Sequence, residues 1–442
     1  MEECGLGGRS SRRRFLRTLA TAGVGTTLFP GLSPRALEGA RTGLPSPPPS
    51  GGPEGRDLEP FWEEVKAGFP LHEGRIPMNA ANLAPAPRSV VERTLEVMWS
   101  VDGDVSFQNR GRWESLLEET RAALARQVGA SADEVALVRN TSEANNIVIG
   151  GLPLGPGDEV VVFDQNHPTN AVAWDVRAAR FGFRVRRISA PEETSAPGAV
   201  AAHFIGALGP ETRVLAFSDI SNVSGLRLPV AEICRACRER GVHAHVDGAQ
   251  SLGSVALDLT ALGCDSYASS AHKWYMGPKE AGVLFVRREK VEEIWPGVVG
   301  VGWGSAAETS ARGARKFETL GQRNDATLVA LGAAVEFHEA IGPERIEARV
   351  LELSGWLRAG LVEIPGLEVV TPSHAELHHG VVVSRIEGVE EREVFESLYR
   401  DFGVAGASTG GLRLCPHIYN TRSDLDRAVE GVEALVGRLA RG

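Results

Sequence analysis

The chain has 442 residues, 43% hydrophobic and 24% charged, an ordinary composition for a globular protein long enough to bury a large core. Net charge is −10, and because residues 1–56 hold eight Arg and four Glu, the remainder stands at −14. So acidic a body argues against sequence-independent binding to nucleic acid, and five cysteines with one Cys-x-x-Cys spacing and no second ligand pair argue against a disulfide framework or a metal site.

Residues 1–40 read as a leader. Ser11-Arg12-Arg13-Arg14-Phe15-Leu16-Arg17 precedes a weakly apolar stretch from Thr18 to Leu32, the layout of a twin-arginine export signal with a periplasmic destination. The apolar run is too short, and too rich in Gly and Thr, to span a membrane, so no span is expected in the mature protein. Residues 41–56, dense in Pro, Ser and Gly, form a linker. An N-terminal arm follows over 57–85. It holds a short amphipathic helix from Phe61 to Phe69 and a turn-rich loop with Asn79 and Asn82, whose side chains could equally cap turns.

From residue 86 to 300 the pattern alternates. A helix from Trp113 to Val128 carries Leu116, Leu117, Ala123 and Leu124 on one stripe. Short apolar runs at Val135–Val138, Val160–Phe163, Val185–Ile188, Val214–Phe217, Val242–Val246, Ser266–Ser269 and Ala281–Val286 read as strands. Helical stretches separate them, which predicts an α/β domain with a mostly parallel, doubly wound sheet. Arg139 to Asn145 joins the first strand to an apolar helical run at Ile147–Ile149. Hydroxyls and backbone amides at such a helix start favour an anion, although Thr141 and Ser142 are also ordinary capping residues. Cys234 and Cys237 share one face of a helix ending near Gly241, and packing explains them. No Gly-x-Gly-x-x-Gly follows a strand, against a dinucleotide site. Residues 301–442 form a smaller C-terminal α/β domain, with helices at 327–341, 345–364 and 391–402 and strands at 367–370 and 380–385.

Two of the strands end on chemistry. One delivers Asp247, in Asp247-Gly-Ala-Gln250, and the other runs into Ser269-Ser-Ala-His272-Lys273-Trp-Tyr-Met-Gly277-Pro. Strand carboxyl ends are where open α/β sheets bind ligands. A partly buried lysine can form a Schiff base with a carbonyl, and pyridoxal phosphate offers both that carbonyl and a ring nitrogen that needs an anionic partner. For either residue alone, a strand-end turn or a surface lysine is the commoner explanation. Together the two motifs resemble the class V aminotransferase family of fold-type I pyridoxal phosphate enzymes, which includes cysteine desulfurases and isopenicillin N epimerase-like proteins. The resemblance runs from about Asn79 to the C-terminus.

The resemblance implies a homodimer with its active site at the interface, a small amino-acid substrate, and roles for particular residues. Lys273 carries the cofactor and moves the α-proton; Asp247 holds the ring nitrogen; His167 stacks on the ring; Gln250 reaches its hydroxyl. Thr141, Ser142, Ser270 and His272 bind phosphate. Asn222, in Ser221-Asn222-Val, lies by the cofactor hydroxyl and the substrate carboxylate, Arg413 takes that carboxylate, and Asn79 lines the substrate mouth. Where the family has Gly-Thr reaching the neighbouring subunit's phosphate, this chain has Gly321-Gln322. The loop Gly403–Gly411, where desulfurases carry their nucleophile, has no cysteine. An aminotransferase is therefore expected, with epimerase or C–S lyase chemistry as the enzymatic alternatives and an exported, catalytically inactive binding protein as the non-enzymatic one.

Overall fold

The computed structural model describes residues 57–191, 196–300, 312–386, 388–389 and 391–439. The expected leader and linker lie outside the described residues, and the expected domain boundary at 300/301 borders a stretch that does too. Among the described residues, three α-helices precede the central sheet: α1 (Glu59–Ala67), α2 (Arg88–Gly103) and α3 (Phe107–Gln127). α3 starts six residues before the sequence expectation because Ser106 caps it, its hydroxyl accepting the Asn109 N–H at 3.2 Å.

The sheet has seven strands: β1 (Val135–Val138), β2 (Glu159–Phe163), β3 (Arg184–Ile188), β4 (Thr212–Ser218), β5 (His243–Asp247), β6 (Ser266–Ser270) and β7 (Gly282–Val286). Their order is β1-β7-β6-β5-β4-β2-β3, and only β7 runs against the rest. The crossover helices α4 (Thr141–Gly151), α5 (Pro168–Phe181), α6 (Pro197–Gly206) and α7 (Val230–Glu239) cover both faces. Successive side chains of a strand point to opposite faces. Val161, Phe163, Leu215, Phe217, Ala244 and Val246 thus join one core with α6 and α7, while Val160, Val162, Val214 and Ala216 join another with α4 and α5. Burial on both sides is why these strands read as continuous apolar runs. Each large side chain so buried contributes about 1.5–3 kcal/mol. Cys234 and Cys237 are free thiols packed in the first core.

The next helix, α8 (Asp325–Ile341), packs on α2 and α3, and Arg110 of α3 reaches Asp325 at 3.0 Å. Leu328, Leu331 and Val335 enter the same core as the sheet. Beyond it, α9 (Pro343–Val362), α10 (Glu391–Phe402) and α11 (Arg422–Leu439) pack around an antiparallel sheet of β8 (Leu367–Val369), β9 (Val382–Ile386) and β10 (Leu412–Leu414), ordered β10-β9-β8. β9 starts two residues later than its sequence pattern because Gly380 is left-handed, with φ 66°. The arm is tied to this region. Ile76–Pro77 pairs with Val404–Ala405, and Asn79 bridges Cys415, which brings Asn79 beside β10.

Candidate active site

At one edge of the sheet, the C-terminal ends of β4, β5 and β6 and the start of α4 enclose a cavity of about 210 Å³. Thr141, Ser142, His167, Asn222, Asp247, Gln250, Ser270, His272 and Lys273 all line it. Asn82, Asn140, Thr169, Ser218, Ile220 and Ala249 complete the wall.

Asp247 ends β5 and is 3% exposed. Its Oδ1 accepts the Ala249 N–H at 3.1 Å and its Oδ2 accepts from Asn145 Nδ2 at 2.9 Å. The residue after it must be glycine: a Cβ on Gly248 would lie 1.9 Å from the Tyr267 ring. Lys273 lies in a tight turn in which the Met276 N–H donates to the Lys273 carbonyl at 2.9 Å. Met276 has φ 50°, a left-handed conformation that costs a non-glycine residue about 1–3 kcal/mol and fixes the turn only because the surrounding packing holds it. Burial pulls the Lys273 ammonium down to about 8, against the Asp247 charge that supports it and with help from Arg413. A substantial neutral fraction, the nucleophilic form, is present near neutrality.

The two cavity histidines are neutral. Burial, with Lys273 and Lys279 adding, pushes His272 down to about 4. His167 is lowered by burial and then by Lys273. It caps α5, Nδ1 accepting the Thr169 N–H at 3.3 Å, which leaves its proton on Nε2. At the other end of the cavity, Thr141 N–H donates to Ser270 Oγ at 2.8 Å, and the two hydroxyls are 2.6 Å apart. Asn140 supplies the cap of α4, accepting the Glu143 N–H at 3.0 Å. Hydroxyls at the positive end of a helix dipole suit an anion.

Gln250 is engaged with protein on both sides of its amide. Oε1 accepts from Trp274 Nε1 at 2.7 Å and Nε2 donates to the Ala81 carbonyl at 3.1 Å, which leaves one amide N–H for a ligand. Arg413 stands behind the cavity wall. It is 4% exposed, donates Nη1 to the Asn222 carbonyl at 3.0 Å and Nη2 to Asn79 Oδ1 at 3.2 Å, and its Nε–H is buried without a partner. Gln322 does not reach the chain's own cavity: it is exposed and donates to the Arg323 carbonyl at 2.7 Å. Asn145, which holds Asp247 from α4, is a site residue that no sequence motif marked. Its position four residues after Thr141, on the same face of α4, is the signal that would have found it.

A buried strand-end carboxylate facing a lysine amine, on a sheet of this order, defines the fold of type I pyridoxal phosphate enzymes. The family model for class V aminotransferases matches residues 78–429. Isopenicillin N epimerase of Streptomyces clavuligerus is 31% identical over 392 residues, covering 85% of this chain and 98% of its own. A probable cysteine desulfurase of Methanothermobacter thermautotrophicus is 29% identical over 405 residues, with the same coverages. Among solved structures, a C-DES mutant with glycine covalently linked to its PLP cofactor superposes with a TM-score of 0.76 at 26% identity, over 85% of this chain and 98% of that one. The cysteine desulfurase CsdA of Escherichia coli does so with 0.75 at 25%, over 86% and 98%. The chain belongs to the class V aminotransferase family.

Proposed function

We infer that the protein is a pyridoxal phosphate enzyme acting at the amino-bearing α-carbon of an amino acid, and that it works as an aminotransferase. The observation that carries this reading is the placement of Lys273, with its ammonium lowered to about 8, in one cavity with the buried Asp247 carboxylate and the Thr141, Ser142 and Ser270 hydroxyls. These groups fit the cofactor's three demands: an amine for its aldehyde, an anion for its ring nitrogen, and donors at a helix start for its phosphate. When bound, the cofactor withdraws electrons from the substrate's α-carbon and so makes its proton removable. Lys273 is the amine that can take that proton, and Asp247 preserves the charge on the ring side. Thr141, Ser142, Ser270 and His272 would hold the phosphate, His167 would cover the ring, and Asn222 and Arg413 would orient the substrate.

Lys273 is the one amine lining the cavity among the described residues, and the two histidines there are held neutral. One proton carrier suits transfer between two carbons on one face, the pattern of transamination. Epimerisation is the second reading, favoured by the similarity to isopenicillin N epimerase, and it needs a carrier on the opposite face. A cysteine nucleophile is disfavoured. Cys415 follows Arg413, is fully buried, and has its thiol pushed up by burial. Incubating the holoprotein with a panel of L-amino acids, each with a 2-oxo acid as amino acceptor, in deuterated water separates the branches. Transamination yields a keto acid in step with loss of the amino donor. A D-amino acid labelled at the α-carbon without keto acid would replace that reading with epimerisation, and an inert coloured protein would leave a binding protein.

A homodimer belongs to the same proposal. Leu95, Met98, Trp99, Val105 and Phe107 stand exposed along α2 and the start of α3, Phe107 at 87%, and Trp295, Val298 and Val299 are exposed near the outer side of α4. So much apolar surface suits a second copy, whose Gln322 would approach this chain's phosphate site. Sedimentation should give twice the monomer mass. A monomer at micromolar concentration would remove the interface.

A further inference from the structure

β5 breaks the apolar pattern of its sheet on one face only. Ala244 and Val246 join the aliphatic core, while His243, His245 and Asp247 alternate with them and point together toward α4. Ser266 of β6, paired in register with His245, lies beside them. The buried polar atoms form one chain of contacts. Asp247 Oδ2 meets Asn145 Nδ2 at 2.9 Å, Asn145 Oδ1 meets His245 Nε2 at 3.0 Å, His245 Nδ1 meets Ser266 Oγ at 2.8 Å, and Ser266 Oγ meets His243 Nε2 at 2.9 Å. Asn145, His245 and Ser266 have no exposed surface, and His243 Nδ1 ends the chain without a partner.

An ionised Asp247 dictates where every proton in this chain sits. A carboxylate only accepts, so Asn145 must turn its amide N–H toward it and its carbonyl toward His245. His245 must then donate from Nε2. Burial pushes both histidines down to about 3, so each carries one proton, and His245 Nδ1 can only accept. Ser266 gives its proton to that nitrogen and accepts from His243 Nε2. The orphan at the far end is then a bare ring nitrogen. A neutral Asp247 donating into the chain would reverse each link and leave a buried, unpaired N–H at His243, and orphaned buried N–H groups are the rarer and costlier kind.

We propose that Asn145, His245, Ser266 and His243 are positioning residues, a one-way hydrogen-bonded chain that orients the Asp247 carboxylate and holds it ionised for the cofactor's ring nitrogen. The inference rests on the pyridoxal phosphate reading. The other groups facing Asp247 are Lys273 and His167 from the cavity and Tyr267 from β6, while Arg287 and Lys290 act on the His243 end. None of these is altered in the following test.

Holoprotein is acidified stepwise and release of pyridoxal phosphate is followed by loss of its visible absorption. Asn145→Leu removes one of the two hydrogen bonds that hold the carboxylate, so the release midpoint of this variant should rise by roughly one to two pH units. Ser266→Ala, which touches neither Asp247 nor the cavity, should move it the same way by roughly half a unit. His245→Leu should resemble Asn145→Leu, whereas His245→Gln, able to donate to Asn145 and accept from Ser266, should stay near wild type. Midpoints that coincide with wild type, with only the thermal melting temperature lowered, would reduce the chain to packing and overturn the proposal. If Asn145→Leu fails to fold, Ser266→Ala and the His245 pair decide. A wild-type protein that never takes up pyridoxal phosphate would overturn the cofactor reading itself, a separate outcome.

Discussion

Lys273→Ala should shift the visible absorption of the cofactor-loaded protein to that of the untethered aldehyde and lower kcat by at least about 10³-fold, since it removes both the covalent tether and a general base worth about 10²–10⁴ alone. Pyridoxal phosphate would still be held through its phosphate and ring nitrogen, so binding weakens without vanishing. The pH dependence of loading tests the same amine. Only neutral Lys273 attacks, so uptake by cofactor-free protein should accelerate as pH rises through about 8. Asp247 is the charge that holds this value up, so Asp247→Asn should shift the rise to lower pH. The sign carries over to stability. Between about 8 and the ordinary lysine value of 10.5, the unfolded chain holds a proton that the folded chain has released. The cofactor-free protein therefore gains stability as pH rises through that window. An unchanged spectrum and unchanged turnover in Lys273→Ala would remove the lysine from the chemistry.

The sequence carried most of the sheet because burial on both faces writes strands as apolar runs, and each ended where its polar neighbour begins, at Asp247 and at Ser270. It carried the cavity because chemistry-bearing residues cluster at strand ends, which local patterns reveal. It missed what depends on pairing between strands. Val242, Ala244 and Val246 marked β5 as apolar, yet the alternate positions His243, His245 and Asp247 form a polar face whose partner, Asn145, lies about 100 residues away. Nothing local to β5 announces that partner. The bracing of Arg413 behind the cavity wall was hidden for the same reason: Asn79 meets it only because the arm pairs with residues beyond 400. Helix starts failed where a lone cap decides, as Ser106 does for α3, since propensity alone does not separate a capped turn from the loop before it.

Arg413→Lys should lower kcat/KM for amino acids by about 10²-fold or more while leaving cofactor absorption intact. The guanidinium offers five N–H donors, and two of them are spent on the Asn222 carbonyl and Asn79. The partnerless Nε–H and the second hydrogen on each Nη remain, a planar fork that matches a carboxylate through two parallel bonds. Lysine keeps the charge, so Lys273 and His167 still feel a cation nearby, but it brings neither the fork nor the two anchoring bonds. The loss should therefore appear mainly in KM. An amine lacking the α-carboxylate supplies the control. If Arg413 grips that carboxylate, wild type and Arg413→Lys should process such an amine at nearly equal, low rates. An equal fractional loss for both substrates would mean that Arg413 only braces the loop at Asn222, and the substrate's orientation would then have to come from other donors at the cavity mouth, with Asn82 the nearest in kind.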